Sequence, residues 1–284
     1  MNLSRIISGT MNWGTWGANY SKQEMCQLIS ESFDYGINSF DHADIYGGYT
    51  TEKSFGDAFI DTGIKREDVF FISKCGIIYP SERLPIKTKH YDYSEDHIMK
   101  SVDNSLKYLK TDYLDCLLLH RPSPLMDINI ISNTVEGLIK SGKIKSFGVS
   151  NFTADQMDMF KGKVEILFNQ INLSLTHLDH MFDGTLEYMQ ANNILPMAYS
   201  PLGSYFKEGS DKIKKVVGSL KDKYSCTDYQ LLISWLLKHP SKVRPVIGTT
   251  KSDRIKKSMK SLKIEIELID WFELLEASVG KRVP

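Results

Sequence analysis

The 284-residue chain has no net charge, its 35 lysines and arginines being offset by 35 aspartates and glutamates. Such a balance gives no long-range attraction to nucleic acid or to an anionic membrane surface, so neither is expected as a partner. No apolar run reaches membrane-spanning length, and the segment Tyr113-Leu-Asp-Cys-Leu-Leu-Leu119 is short and interrupted. The residues from Met1 to Gly9 lack the basic-then-apolar pattern of a secretory signal. Cys26, Cys75, Cys116 and Cys226 are scattered and form no Cys-x-x-Cys pair. They read as reduced, packing thiols in a cytoplasmic protein. A glycine-rich dinucleotide fingerprint is also missing, because Gly9-Thr-Met-Asn-Trp-Gly14 does not fit G-x-G-x-x-G. Nor is there a Pro/Gly/Ser-rich linker, so residues 1–284 are expected to form a single domain.

Apolar residues make up 42% of the chain and charged residues 25%, enough for a full core. Short apolar or β-branched runs alternate with longer amphipathic ones. Strands are expected at Arg5–Ser8, Asn38–Phe40, Val69–Ser73, Tyr113–Leu119, Ser146–Val149, Ile166–Asn169, Leu195–Ala198 and Val243–Ile247. Helices are expected near 21–35, 52–61, 94–109, 128–141, 153–160, 183–192, 227–238 and 252–262. Ser21-Lys-Gln-Glu24 and Ser94-Glu-Asp-His97 are helix-start signals, and Gly36 and Gly142 are helix-stop signals. Repeated β-then-α units of this length predict an α/β fold, a closed parallel (β/α)8 barrel.

Active sites of such barrels lie at the C-terminal strand ends. Those ends carry Asp41, Lys74 and His120, with Tyr46 in the loop after Asp41. A phenol is a poor acid at neutral pH, but a lysine ammonium beside it would lower its pKa, and a carboxylate would hold that ammonium charged. A histidine could orient a carbonyl oxygen while the phenol protonates it and hydride arrives at carbon. Asp41-His-Ala-Asp44 could suggest a metal site, but strand alternation sends Asp41 and His42 to opposite faces, and no metal is expected.

Gly137-Leu-Ile-Lys-Ser-Gly-Lys-Ile144 resembles a phosphate loop, but Ile144 replaces the required hydroxyl residue. A helix also precedes it where a strand is needed, so it reads as a helix end. Val246-Ile-Gly-Thr-Thr-Lys-Ser-Asp-Arg254 is better placed, since it runs from the last strand into a helix start with two hydroxyls, Lys251 and Arg254. It is either a phosphate site or an ordinary capped helix. The basic run Lys256 to Lys263 reads as a solvated face. Trp13, Trp16, Tyr20, Ile77, Ile78 and Tyr79 are candidates for an apolar pocket, suggesting a hydrophobic or aromatic small-molecule substrate. A loop from Gly76 to Tyr93 could close over it. A monomer is the default.

Seven segments in order carry a family resemblance. They are Asn38-Ser-Phe-Asp-His-Ala-Asp-Ile-Tyr46, Ile72-Ser-Lys74, Tyr113-Leu-Asp-Cys-Leu-Leu-Leu-His120, Gly148-Val-Ser-Asn-Phe152, Asn169-Gln170, Ala198-Tyr-Ser-Pro-Leu-Gly203 and Pro245-Val-Ile-Gly-Thr-Thr250. Over nearly its whole length the chain resembles the aldo-keto reductases. It is most similar to a bacterial oxidoreductase branch through Leu119-His-Arg-Pro122 and the Trp271 to Val283-Pro284 ending. The resemblance implies NADPH-dependent reduction of aldehydes or ketones, with Asp41, Tyr46, Lys74 and His120 as the catalytic set. It implies that Ser150, Asn151 and Gln170 hold the nicotinamide carboxamide and that Tyr199 stacks on the ring. Ser200, Leu202 and Gly203 would line the pyrophosphate, and Gly248, Thr249, Thr250, Lys251 and Arg254 the adenosine phosphate. An NADP-binding regulatory subunit with little turnover is the alternative. The chain departs from the family in lacking the opening hairpin that covers the barrel floor, and in placing Lys257 and Ser258 where relatives carry adenine-contacting Glu and Asn. Little chain follows Trp271 to wall the substrate pocket.

Overall fold

The computed structural model describes residues 3–208 and 210–282; the Val283-Pro284 ending lies outside them. Ten strands occur among these residues: β1 Ile7–Gly9, β2 Ser39–Asp41, β3 Phe70–Cys75, β4 Ile77–Ile78, β5 His90–Tyr91, β6 Cys116–Leu119, β7 Phe147–Ser150, β8 Phe168–Asn172, β9 Leu195–Tyr199 and β10 Arg244–Ile247. Eight of them close into a parallel barrel in the order β1-β10-β9-β8-β7-β6-β3-β2, a (β/α)8 barrel. The remaining pair, β4 and β5, forms a small antiparallel hairpin over the mouth, pairing Ile77 with Tyr91 and Ile78 with His90.

All eight expected strands are present, most shifted one or two residues toward the C-terminus. The expected Tyr113–Leu119 strand shortens to β6 because Leu114 and Ile144 meet only as an isolated bridge before the ladder begins at Cys116. Expected helix starts also hold. The Ser21 side chain accepts from the Glu24 amide in a reciprocal capping box, and Ser94 accepts from His97. Two long helices, Asp211–Lys223 and Leu268–Val279, escaped the sequence reading, as did the one-turn helices Tyr46–Tyr49, Asp179–Phe182 and Tyr205–Glu208. The long pair pack on each other outside the barrel. Trp271, on the second, stacks on Trp235 with ring centroids 5.0 Å apart, and each indole N–H donates to the other's carbonyl.

Strand alternation sorts the side chains. Ile7, Phe70, Ile72, Cys116, Leu118, Phe168, Met197 and Val246 fill the barrel interior. The floor is plugged from within, where Phe70 and Phe168 meet edge to face at 6.2 Å and Leu3 and Leu195 pack beneath the same cluster. Two residues beyond each interior side chain, the same inward direction reaches the mouth: Ile72 leads to Lys74, Leu118 to His120, Phe168 to Gln170, and Met197 to Tyr199.

The outer helices are fitted closely. Gly56, on helix Thr51–Phe59, faces helix Glu95–Leu109 so tightly that a Cβ would fall 2.0 Å from the Tyr108 carbonyl oxygen. Gly56→Ala must push the helices apart, so it should destabilise the protein by about 1–3 kcal/mol. A urea titration checks this: the midpoint should fall at unchanged slope, whereas an unmoved midpoint would mean the helices separate freely.

Candidate active site

Lys74 is fully buried, and its ammonium has three acceptors. It donates to Asp41 Oδ1 at 2.7 Å, to the His42 carbonyl at 2.7 Å and to Tyr46 Oη at 3.2 Å. Asp41 Oδ1 also accepts from Gln170 Nε2 at 2.9 Å. A tight turn presents the phenol, with Gly47 and Gly48 both left-handed immediately after Tyr46. His120 sits on the other side of the ring, its centroid 6.1 Å from that of Tyr46. The structure therefore brings Asp41, Tyr46, Lys74 and His120 to one point. His42 turns away from them, buried against Phe55 and hydrogen-bonded to Thr10 Oγ1. No group of three or more metal-ligating side chains occurs among the described residues.

The electrostatics refine the sequence reading. Desolvation works to discharge Lys74, but Asp41 and Tyr46 outweigh it and the ammonium's pKa rises. For Tyr46, burial raises the pKa more than Lys74 lowers it. The expected net lowering of the phenol is thus corrected: desolvation wins, and Tyr46 keeps its proton. His120 is held well below its ordinary value by burial and by Lys74, Arg121 and Lys89, so its imidazole is neutral.

Above these groups opens a cavity of about 630 Å³ lined by Asp41, Tyr46, His120, Ser150, Gln170, Tyr199, Ser200 and Gly248, with Trp16, Ile77 and Tyr79 on its outer wall. A second, of about 610 Å³, is lined by Ser200, Leu202, Gly203, Gly248, Thr249 and Arg254. The two share Ser200 and Gly248, making one continuous groove. Asn151 stands behind the wall, donating to Ser150 Oγ and accepting from the Tyr199 hydroxyl, so it positions both.

Five sequence candidates fall elsewhere. Trp13 is fully buried between Phe40 and Phe55, because it lies on the barrel's outer side. Tyr20 turns its hydroxyl to the Thr250 carbonyl instead of the cavity. Ile78 alternates away from Ile77 and lines a separate cavity behind the Tyr46 turn. Thr250 and Lys251 lie off the groove lining because the chain is already turning into helix Ser252–Lys260, whose N-cap is Lys251. Not anticipated were Ile45 and Arg121 in the first cavity, and Phe206, Thr227 and Tyr229 in the second; Met11 and Asn12 at the first strand's end and Lys89 from the 76–93 loop also line the first cavity, and Lys257 lines the second. Arg121 had a signal, since it follows His120 directly at a strand end. Phe206 and Tyr229 come from outer elements and had none. Ser258 is buried, bonded to the Tyr229 hydroxyl and the Arg254 carbonyl.

Barrel mouths of this kind serve many chemistries, and similarity to known proteins narrows the choice. The sequence model of the aldo/keto reductase family matches residues 5–276, and the chain belongs to that family. It is 39% identical to the oxidoreductase YcsN of Bacillus subtilis, over 100% of this chain and 97% of that protein. It is 35% identical to the oxidoreductase YdhF of Escherichia coli, over 99% and 96%. Among solved structures it resembles the thermostable aldo-keto reductase Tm1743 bound to the inhibitor epalrestat, with a TM-score of 0.83, 27% identity and coverage of 97% of this chain and 95% of that one. The protein is therefore an oxidoreductase of the carbonyl-reducing kind. No helix among the described residues is long and apolar enough to cross a membrane.

Two buried carboxyls stand behind the site. Glu52 accepts from Ser73 Oγ at 2.5 Å and from Ser105 Oγ at 3.0 Å, yet burial raises its pKa from 4.5 to about 7. Asp44 accepts from Ser101 Oγ at 2.7 Å, and burial raises its pKa to about 8. An acid whose folded pKa exceeds its unfolded value binds more protons when folded, so its contribution to stability falls as pH rises. For Glu52 the loss runs from pH 4.5 to about 7. Glu52→Gln should flatten the decline in unfolding free energy across that window by an amount on the order of 3 kcal/mol, measured by denaturant titration at several pH values. Parallel pH profiles for parent and variant would refute the assignment.

Proposed function

We propose that the protein reduces aldehydes or ketones to alcohols with NADPH, using Tyr46 as the proton donor. The observation that carries this reading is the direction of the Lys74 hydrogen bond. Lys74 donates to the Tyr46 oxygen, so the phenol's own hydrogen is free to turn into the cavity. There it can meet a carbonyl oxygen that neutral His120 holds by an N–H. Once the proton has left, Lys74 already sits 3.2 Å from the oxygen that carries the new negative charge. Asp41 keeps Lys74 charged throughout.

The groove fits a dinucleotide. Gly248 sits at the junction of the two cavities, and a side chain there would have only Asn12 Nδ2, at 3.5 Å, as a neighbour before entering the groove. Ser150 and Gln170 would hold the nicotinamide end, and Tyr199, steadied by Asn151, would flank it. Ser200, Leu202, Gly203 and Gly248 would follow the pyrophosphate. Thr249 and Arg254, joined by Lys257, offer the hydroxyl and cations for the extra phosphate that distinguishes NADPH. When bound, NADPH supplies the hydride that forms the new C–H bond. In support, an aldo/keto reductase of Klebsiella pneumoniae with the same fold has been solved with NADP and acetate.

Tyr46→Phe should retain NADPH binding, read by fluorescence, and lose about 10²–10⁴-fold in turnover of an aromatic aldehyde. Undiminished turnover would remove Tyr46 from the chemistry, and tight cofactor binding without turnover in the parent would favour a regulatory subunit. Arg254→Gln should weaken NADPH about 10–100-fold while leaving NADH affinity nearly unchanged, as expected for loss of a charge-assisted phosphate contact. Equal weakening of both cofactors would mean that Arg254 does not read the phosphate.

A further inference from the structure

The charge around the substrate cavity is one-sided. Its one lining carboxylate, Asp41, is engaged by Lys74 and Gln170. Two more cations, Lys89 and Arg121, line the same space, and no carboxylate lies within ion-pairing distance of either among the described residues. Lys89 stands at the exposed rim just before β5, whereas Arg121 is half-buried in the wall.

Arg121 is held in place for a purpose beyond packing. Its backbone N–H donates to the Tyr93 hydroxyl at 3.2 Å, and that hydroxyl donates back to the Arg121 carbonyl. Tyr93 is itself buried and pressed on Gly76, where a Cβ would fall 1.9 Å from its ring. The guanidinium donates through Nη1 to Tyr199 Oη at 3.3 Å and lies 5.6 Å from that ring's centroid. One contact occupies one N–H of a five-donor fork. A guanidinium partly removed from water beside an aromatic ring, with donors to spare and no counter-ion, is suited to a planar or tetrahedral oxyanion. Both Arg121 and Lys89 also act on His120, which places their field at the reacting carbonyl.

We propose that the physiological substrate is an aldehyde or ketone that also carries an anionic group, a carboxylate or a phosphate, taken up by Arg121 with Lys89 closing from the rim. This inference rests on the carbonyl-reductase reading above and adds an anionic group to the expected hydrophobic or aromatic substrate. Trp16, Ile77 and Tyr79 then pack the stem between the carbonyl and the anion. Arg121 acts as a specificity-determining residue, and it carries neither the hydride nor the proton.

Matched substrate pairs test the proposal. They are para-formylbenzoate against its neutral amide, and glyceraldehyde phosphate against glyceraldehyde, which also tell carboxylate from phosphate. The parent should favour at least one anionic member by about tenfold or more in kcat/KM, through KM, with the preference shrinking at high salt. Arg121→Met should collapse the anionic-to-neutral ratio by a similar factor, and Arg121→Lys should keep part of it. No preference in the parent would overturn the proposal. So would an equal loss on both members with weakened NADPH binding, which would make Arg121 only a support for Tyr199. If no pair is reduced at all, the reductase reading fails separately. Calorimetry on the NADP-loaded protein with para-(hydroxymethyl)benzoate and its amide then still decides the charge preference, equal affinities overturning it.

Discussion

A lysine ammonium buried without water must find an acceptor for each of its hydrogens, and the mouth of this barrel is organised around that requirement at Lys74. Asp41, the His42 carbonyl and Tyr46 provide the three acceptors. Removing one partner from a buried ion pair typically costs about 3–5 kcal/mol, because the remaining charge is left unpaired. The same demand fixes the geometry of the chemistry. Lys74 cannot be satisfied unless β2 and β3 lie in register, as their pairing of Asp41 with Ile72 provides, and unless the turn after Ile45 delivers the phenol inward.

Closure of the sheet multiplies this effect. In a parallel barrel every strand points alternate residues inward, so an apolar layer at one level dictates a second layer two residues on. Here the first layer is Ile72, Leu118, Phe168 and Met197, and the second is Lys74, His120, Gln170 and Tyr199. Packing below therefore sets positions above, and the interior cluster that plugs the floor also levels the reacting groups. The groove proposed for the cofactor differs in kind. Its far half is walled by Phe206, from the short helix Tyr205–Glu208, and by Thr227 and Tyr229, at the start of helix Asp228–Leu237, elements that obey no strand period.

The electrostatics of the mouth come from burial acting differently on groups of different charge. Desolvation keeps His120 neutral and Tyr46 protonated, and it raises Glu52 and Asp44 behind them. Lys74 resists it only because Asp41 is close. A neutral imidazole, a protonated phenol and a fixed cation can thus coexist side by side near neutral pH. The cations Lys89, just before β5, and Arg121, directly after His120, add positive charge to the cavity wall.

Local sequence determined much of this protein. Strand runs, helix caps at Ser21 and Ser94, and the polar residues ending each strand were legible, because alternation and capping act between near neighbours in the chain. Asp41, Tyr46, Lys74 and His120 could be named from their positions at strand ends. Trp13, Tyr20 and Ile78 were misplaced because an aromatic or apolar residue near a strand end carries no mark of the side it faces. Trp13 chose the layer outside the barrel, against Phe40 and Phe55. Helices Asp211–Lys223 and Leu268–Val279 were equally hidden, since their stability comes from packing on each other and from the Trp235–Trp271 stack. Only the tertiary structure decided that desolvation outweighs Lys74 at Tyr46, that Phe70 and Phe168 close the floor, and that Arg121 stands in the cavity without an acid. Each of these depends on which distant segments remove water from a group, and one chain segment cannot specify that alone.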